Sequence, residues 1–248
     1  MATLLILLGA ALGAAQTPSL RIASDATFPP FHFIDEAGQP TGFEIELARL
    51  IAEREGLVPH VLVLPYDELL PGLASGAHHL VAATTGITPE REKLYLFTRP
   101  YFETCQAALV RAGENEPKSL AELSGRRVGA AGAGTSARAL AGLQGVEAVA
   151  LGKGEAGVAF LEKGRIDALI VDEFGAVRTA RASNGRLRVL AEPVALERYA
   201  FVLALAGGEL KSALDSALEA IERKGLLEDL RKKFGVERDE DWPVKIGR

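Results

Sequence analysis

The 248-residue sequence contains few of the residues that build disulfide frameworks, metal centres or nucleic-acid-binding surfaces. Cys105 is its single cysteine, so no disulfide can form within the chain, and we expect a small buried side chain there. The four histidines lack metal-ligand spacing, and we predict neither a metal nor another cofactor. Lysine and arginine number 28 against 33 acidic residues, and the resulting net charge of −5 argues against a nucleic-acid partner.

Motifs of the common enzyme classes are missing or incomplete. No Gly-x-Ser-x-Gly elbow supports a Ser-His-Asp triad. A glycine-rich turn at Gly132 and Gly134 lacks the lysine of a Walker A loop, although it leaves a dinucleotide site open, with Glu155 as the ribose contact. The simpler interpretation is a tight turn whose amides, with the Thr135 and Ser136 hydroxyls, face a small anion such as a carboxylate.

Long apolar runs are also absent, because none reaches the ~18 residues of a membrane-spanning helix. The run from Leu4 to Ala15 has instead the length of the hydrophobic core of a secretory signal peptide. Gly13 and Ala15 are small residues suited to a cleavage site before Gln16. We predict that residues 1–15 are a signal peptide and that the mature protein is periplasmic, without a membrane span. The alternative is an internal hydrophobic helix of a cytoplasmic protein.

After this run, short apolar strands alternate with amphipathic helices. The helix predicted over residues 43–55 places Phe43, Leu47, Leu50 and Ile51 on one face. Alternation with short connections predicts parallel sheets covered by helices, and two successive β-α-β series predict two lobes. Because ligands of open α/β sheets bind beyond the carboxyl ends of the strands, we searched those ends for reactive side chains.

Charged side chains stand at three of these strand ends. Arg91 falls in the first turn of a helix that begins after Thr88, at Pro89. A cation is unfavourable there because of the helix dipole, and a bound carboxylate would compensate for this cost. The alternative for Arg91 is a solvated ion pair with a neighbouring acid. Asp172 ends an apolar strand and could receive an ammonium group or cap the next helix. Asp25 follows the first strand and could merely cap a turn.

Five groups of motifs along the chain form a combination typical of one protein family. They are, in chain order, Asp25-x-x-Phe28-Pro29-Pro30-Phe31; Gly42-Phe43-Glu44-Ile45-Glu46-Leu47-Ala48; Ile87-Thr88-Pro89-Glu90-Arg91 with Phe97-Thr98-x-Pro100-Tyr101; Leu123-Ser124-Gly125-x-x-Val128-Gly129 with Gly134-Thr135; and Gly164-x-x-Asp167-Ala168 with Asp172. They cover almost the whole mature chain. The sequence resembles the periplasmic amino-acid-binding proteins of ABC importers, those related to glutamine-, histidine- and lysine/arginine/ornithine-binding proteins.

The resemblance implies an α/β, two-lobed periplasmic-binding-protein fold of type II, in which each lobe is a mostly parallel sheet flanked by helices. Lobe 1 would comprise residues 19–101 and 200–248, and lobe 2 residues 106–194. A two-segment hinge would lie near residues 102–105 and 195–199. The resemblance also implies a monomer that closes on a free L-amino acid, delivers it to the membrane permease of an ABC importer and catalyses nothing.

Ligand contacts carried over from the family fall on matching positions of this chain. Arg91 would hold the ligand α-carboxylate, helped by Thr135 and Ser136. Asp172 would take the α-ammonium, together with Thr84. Since the two charges come from opposite lobes, a ligand that bridges them would favour the closed state.

The remaining contacts would surround the ligand side chain. Phe28 and Tyr66 would sandwich it, and Asp25 would reach its distal end. A carboxylate there favours a donating side chain, as in glutamine, arginine, lysine or histidine, and repels glutamate and aspartate.

The ligand-binding set is completed by Ala83, Gly86 and Ala131, two of which depart from the family pattern. Gly86 stands where the family commonly has Ser or Thr in contact with the ammonium. Ala131 replaces bulkier residues, which would widen the pocket.

An enzyme built on the same fold is the main alternative, namely a dehydratase of the cyclohexadienyl type, which needs an acid in the pocket. Glu173 follows Asp172 and should point away from it, and position 175, where an inward acid would be expected, is Gly175. A second alternative is the ligand-sensing domain of a receptor.

Overall fold

The computed structural model describes residues 18–131, 134–152 and 156–246 of the chain. Several predictions concern positions outside the described residues: the signal peptide of residues 1–15, Gly132, Glu155 and the side chain of Ala131.

The described residues form fourteen strands and eight α-helices. The strands are β1 (Ser19–Ser24), β2 (Thr27–Phe28), β3 (His32–Ile34), β4 (Pro40–Thr41), β5 (Val58–Val63), β6 (Leu80–Val81), β7 (Tyr95–Phe97), β8 (Phe102–Arg111), β9 (Arg127–Ala131), β10 (Glu147–Leu151), β11 (Ala168–Asp172), β12 (Leu187–Val189), β13 (Ala195–Tyr199) and β14 (Val202–Ala204). The helices are α1 (Phe43–Arg54), α2 (Tyr66–Ala74), α3 (Pro89–Glu92), α4 (Thr135–Gly142), α5 (Gly157–Glu162), α6 (Glu173–Ala182), α7 (Gly208–Arg223) and α8 (Leu226–Phe234). No helix in this part of the chain combines the length and apolarity needed to span a bilayer.

Two mixed sheets form the cores of two lobes. The first sheet has the order β5-β1-β6-β14-β7, with β1 parallel to β5 and β6 and with β14 antiparallel to β6 and β7. The second has the order β10-β9-β11-β8-β12, with β9 parallel to β10 and β11 and with β8 antiparallel to β11 and β12. Below, lobe 1 and lobe 2 denote the parts built on the first and second sheet.

The two segments predicted as the hinge are paired strands. Strand β13 runs antiparallel to β8, from Ala195 opposite Gln106 to Tyr199 opposite Phe102. Sequence patterns predicted neither strand. Strand β8 is buried at Phe102 and at seven consecutive positions from Thr104 to Val110, so it shows no alternation of polar and apolar residues. The chain thus crosses between the lobes as a two-stranded ribbon.

Local sequence signals account for the elements that position the site. Helix α1 buries one apolar face that includes Phe43, Leu47 and Ile51, as predicted from their spacing. Helix α3 begins at Pro89 after Thr88, whose hydroxyl accepts a hydrogen bond from the Arg91 amide at 3.3 Å.

Aromatic side chains fill the junction between the lobes. The ring of Phe31 makes edge contacts with Phe43, Phe102, Phe174 and Tyr199, at centroid distances from 5.1 to 6.0 Å. These residues come from lobe 1, both crossing strands and α6 of lobe 2. One apolar cluster therefore supports the floor of the space between the lobes.

Candidate functional site

Arg91 lies on α3 at the edge of lobe 1 that faces lobe 2. Its guanidinium donates from Nη1 to the Gly86 carbonyl at 2.8 Å and from Nη2 to the Tyr66 hydroxyl at 3.4 Å. Neighbouring Glu90 pairs with Arg138 of lobe 2 instead. Among the described residues Arg91 has no carboxylate partner, so its charge remains available to an anion.

The space beside the Gly86 Cα is a meeting point of both lobes. A β-carbon at this position would lie 3.3 Å from Thr135 Cγ2 and 3.4 Å from Glu197 Oε1. The Nη1 atom of Arg91 is 3.9 Å from the same point. A larger residue than glycine would therefore crowd the opposite lobe and the hinge strand.

Asp172 ends β11 in lobe 2 and is the N-cap of α6. Its Oδ1 accepts hydrogen bonds from the amides of Phe174 and Gly175 at 2.9 and 3.3 Å. Its Oδ2 accepts the Tyr199 hydroxyl at 2.5 Å and the Thr104 hydroxyl at 3.4 Å. Burial raises the pKa of Asp172 to about 6, an effect that these hydrogen bonds offset only in part. The structure confirms the capping role, while ligand binding by the same carboxylate remains a prediction.

A buried polar network supports Thr84 in lobe 1. Its amide donates to Glu44 Oε2 at 2.7 Å, and its hydroxyl lies 3.3 Å from His32 Nε2. Glu44 is fully buried and also accepts the Tyr101 hydroxyl. Burial raises the pKa of Glu44 to about 8 and lowers the pKa of His32 to about 4, so both groups are mainly uncharged near neutral pH. Within this network Thr84 adopts a φ of 43°.

Asp25 belongs to the edge of this network. Its Oδ1 is buried and lies 3.3 Å from His32 Nδ1, without the alignment of a hydrogen bond. Its Oδ2 accepts the Thr27 hydroxyl. The carboxylate therefore faces its own lobe here, and its predicted contact with the distal end of a ligand stays a prediction.

The hydroxyls predicted to assist carboxylate binding contact a glutamine of β8. Ser136 Oγ donates to Gln106 Oε1 at 2.6 Å, and Gln106 Nε2 lies 3.3 Å from Thr135 Oγ1. The same Nε2 donates to Glu197 Oε2 at 2.8 Å. Gln106 thus joins the start of α4 to the hinge strand β13.

The predicted aromatic walls occupy different environments. Phe28 stacks on Phe31 at 5.5 Å, and its Cε2 is 3.9 Å from where a β-carbon on Gly175 would stand. Tyr66 is 55% exposed and contacts Arg91 through its hydroxyl. Ala83 is buried within the lobe 1 core, so it shapes the site through its backbone rather than its side chain.

The lobes touch around this site. Arg178 of α6 donates to the Pro29 carbonyl of lobe 1 at 2.9 Å, and Arg138 of α4 pairs with Glu90. An interlobe cavity of about 300 Å³ is lined by Thr88, Glu90, Arg91, Gly134, Thr135 and Arg138. A larger cavity of about 520 Å³ lies between β8 and α8 and contains none of the predicted ligand contacts. Of the predicted ligand contacts, the interlobe cavity is lined by Arg91 and Thr135, so the available cation and both lobes meet there.

Sequence reasoning missed several polar residues of the site, namely Gln106, Glu197, Tyr199, His32 and Glu44. Three of them lie on the crossing strands β8 and β13, which no periodicity revealed. Their alternation within β13, which puts Glu197 and Tyr199 on one face, could have been recognised only once that segment was known to be a strand. Within the described residues, no group of three or more His, Cys, Asp or Glu side chains could hold a metal ion.

Comparison with known proteins gives the site its context. Residues 20–237 match the bacterial extracellular solute-binding proteins, family 3. The L-cystine-binding protein TcyJ of Escherichia coli (strain K12) is 30% identical over 223 residues, which cover 88% of this chain and 84% of that protein.

Solved structures agree in fold. An ancestral arginine-binding protein bound to glutamine superposes with a TM-score of 0.74 and 32% identity, covering 88% of this chain and 98% of the other. The ancestral amino-acid-binding protein AncCDT-1, a precursor of cyclohexadienyl dehydratase, has a TM-score of 0.74 and 28% identity, with coverages of 87% and 94%. The family match spans most of the described chain and both lobes, and this protein belongs to the bacterial extracellular solute-binding proteins, family 3.

Proposed function

We propose that this protein captures a polar L-amino acid, glutamine-like or basic, in the periplasm and delivers it to the permease of an ABC importer. The observation that carries the proposal is the Arg91 guanidinium, which lacks a carboxylate partner in the described chain and faces Thr135 of the other lobe across Gly86. A guanidinium in this position matches the α-carboxylate of an amino acid. Asp172 supplies the opposite charge from lobe 2.

Closure of the two lobes is the proposed means of capture. Lobe 1 comprises residues 19–101 and 200–248, lobe 2 residues 106–194, and the crossings lie near residues 102–105 and 195–199. Within lobe 1, the segment after α8 packs against lobe 2. A zwitterion between Arg91 and Asp172 stabilises the closed form, because only that form offers both charges to one ligand. The protein acts as a monomer, since each copy holds both halves of the site.

The comparisons support an amino acid as the ligand. The name of TcyJ states that it binds L-cystine, and the ancestral arginine-binding protein was solved with glutamine bound. Two buried or half-buried carboxylates near the site, Asp25 and Asp172, suit ligands with donor groups at both ends. Phe28 and Tyr66 flank the ligand side chain.

We further propose that the protein is not an enzyme, although AncCDT-1 is described as the precursor of a dehydratase. Position 175 faces Phe28 and is a glycine, so it supplies no acid. Glu173, the acid that follows Asp172, is fully buried and directed to Cys105 Sγ at 2.8 Å and Arg238 Nε at 2.6 Å. Neither position can protonate a leaving hydroxide in the site.

Thermal unfolding of residues 16–248 with each of the twenty amino acids, ornithine, citrulline and L-cystine tests this proposal. A ligand at 100 times its Kd adds about 2.7 kcal/mol and raises the midpoint by roughly 5–10 °C. We expect a rise with one or a few polar amino acids. Arg91→Ala should abolish the rise, whereas Arg54→Ala, at an exposed position of α1, should keep it.

Three results would contradict the proposal. An unchanged midpoint with all of these compounds would exclude the proposed ligands. Turnover of prephenate or arogenate would show that the protein is a dehydratase. A rise in midpoint that persists in the Arg91→Ala variant would show that the ligand binds outside this site.

A further inference from the structure

Glu197 of the hinge strand β13 directs a carboxylate oxygen at the site. Its Oε2 accepts the Gln106 side-chain amide at 2.8 Å, and Gln106 is in turn held by Ser136 at 2.6 Å. Its Oε1 is 3.4 Å from the point where a β-carbon on Gly86 would stand. One oxygen is therefore anchored, while the other faces the meeting point of the lobes.

The strand geometry puts Glu197 beside Asp172. Residues 197 and 199 lie two apart on β13, so their side chains share a face, and the Tyr199 hydroxyl donates to Asp172 at 2.5 Å. Thr104, the cross-strand partner of Glu197, also donates to Asp172, at 3.4 Å. Burial is the main cause of the raised pKa of Asp172, and the nearby negative charge of Glu197 raises it further.

In the part of the chain that the structure describes, no cationic side chain pairs with either carboxylate. Within the described residues neither Glu197 nor Asp172 forms an ion pair, although Arg91 Nη1 is 3.9 Å from the same point beside Gly86. Two adjacent ionised carboxylates repel each other, and a ligand that supplies a cationic group would relieve this repulsion. A ligand whose carboxylate pairs with Arg91 would place its α-carbon substituents in this space.

We propose that Glu197 is a specificity-determining residue that binds the ligand α-ammonium together with Asp172. The inference rests on the proposed function and extends it, because it assigns the ammonium to two carboxylates, one from lobe 2 and one from the hinge. Gly86 leaves this space open, since a β-carbon there would stand 3.4 Å from Glu197 Oε1. The site then selects 2-amino acids over the corresponding 2-hydroxy acids.

Calorimetric titration of wild type and Glu197→Gln with L-arginine and its 2-hydroxy analogue tests the assignment. L-glutamine and its 2-hydroxy analogue form a second pair, so that the result does not depend on one side chain. A lost charge-assisted hydrogen bond should weaken amino-acid binding by about tenfold to hundredfold. Binding of the hydroxy analogues should change less than about threefold, because they lack the group that Glu197 contacts. Glu197→Asp, which keeps the charge with a shorter reach, should recover part of the loss.

Glu103→Gln serves as the matched control, since Glu103 is an exposed glutamate on the paired hinge strand β8, and it should leave every affinity unchanged. Equal losses for the amino acid and its hydroxy analogue would overturn the role of Glu197 and leave the proposed function intact. Wild-type protein that binds none of the amino acids of the thermal screen would overturn both. Unfolding midpoints of all variants show whether they are folded.

Discussion

At the scale of single residues, Asp172 has two tasks that place different demands on its charge. As the N-cap of α6 it accepts two amide hydrogen bonds, and the uncharged side chain of Asn could accept the same bonds. As the proposed ammonium ligand it must be ionised. Because burial raises its pKa to about 6, protons compete for this carboxylate only slightly below neutral pH.

We therefore predict that ligand affinity is constant above about pH 7 and falls as the pH drops through 6. The ammonium stabilises the ionised form, so a proton must leave Asp172 before binding, and affinity at pH 5 should be about tenfold weaker than at pH 7. Calorimetric titration with the amino acid found in the thermal screen measures this dependence. Asp172→Asn should keep α6 capped, bind weakly and lose the pH dependence; an equally steep profile in this variant would assign the titration to another group.

At the scale of elements, the short helix α3 positions the cation of the site. It contains four residues, and the Thr88 side chain caps it through the Arg91 amide itself. The same cap therefore sets the helix start and the placement of Arg91. This element was predictable from sequence, because Thr followed by Pro is a local signal that needs no tertiary contact.

We predict that Thr88→Ala lowers the free energy of unfolding by about 1 kcal/mol, the usual cost of a lost N-cap, and weakens ligand binding. Thr88→Ser is the control, since its hydroxyl can cap the same amide. Chemical denaturation and calorimetric titration of both variants provide the measurement. Equal behaviour of the two variants would show that the hydroxyl does not hold Arg91 in place.

At the scale of the whole molecule, the segment after α8 makes a third connection between the lobes. Helix α8 packs against α1 of lobe 1, whereas Trp242 lies 4.8 Å from the Phe174 ring of lobe 2. The Lys245 amide donates to the Ala191 carbonyl at 2.8 Å, and Arg181 pairs with Asp239 at 2.7 Å. The segment after α8 thus packs against lobe 2, although α8 itself packs against lobe 1.

We predict that Trp242→Ala destabilises the protein by about 3–5 kcal/mol, because it removes a buried aromatic ring from this junction. The unfolding midpoint should fall by roughly 10 °C for a protein of this size. Trp242→Phe retains most of the packing and should lose much less. A midpoint for Trp242→Ala within about 2 °C of wild type would mean that the segment does not fasten the lobes.

The sequence by itself determined the fold class, the elements with clear local signals, and the positions of Arg91 in the first turn of α3 and of Asp172 at the end of β11. Those signals are short in range: an apolar face on α1, a cap at Thr88 and an apolar run ending in a carboxylate. Only the tertiary structure decided which groups meet Gly86. Gln106 lies on β8, which is buried without alternation, and Glu197 lies on β13, so their approach depends on the pairing of these two strands and on contact between distant parts of the chain.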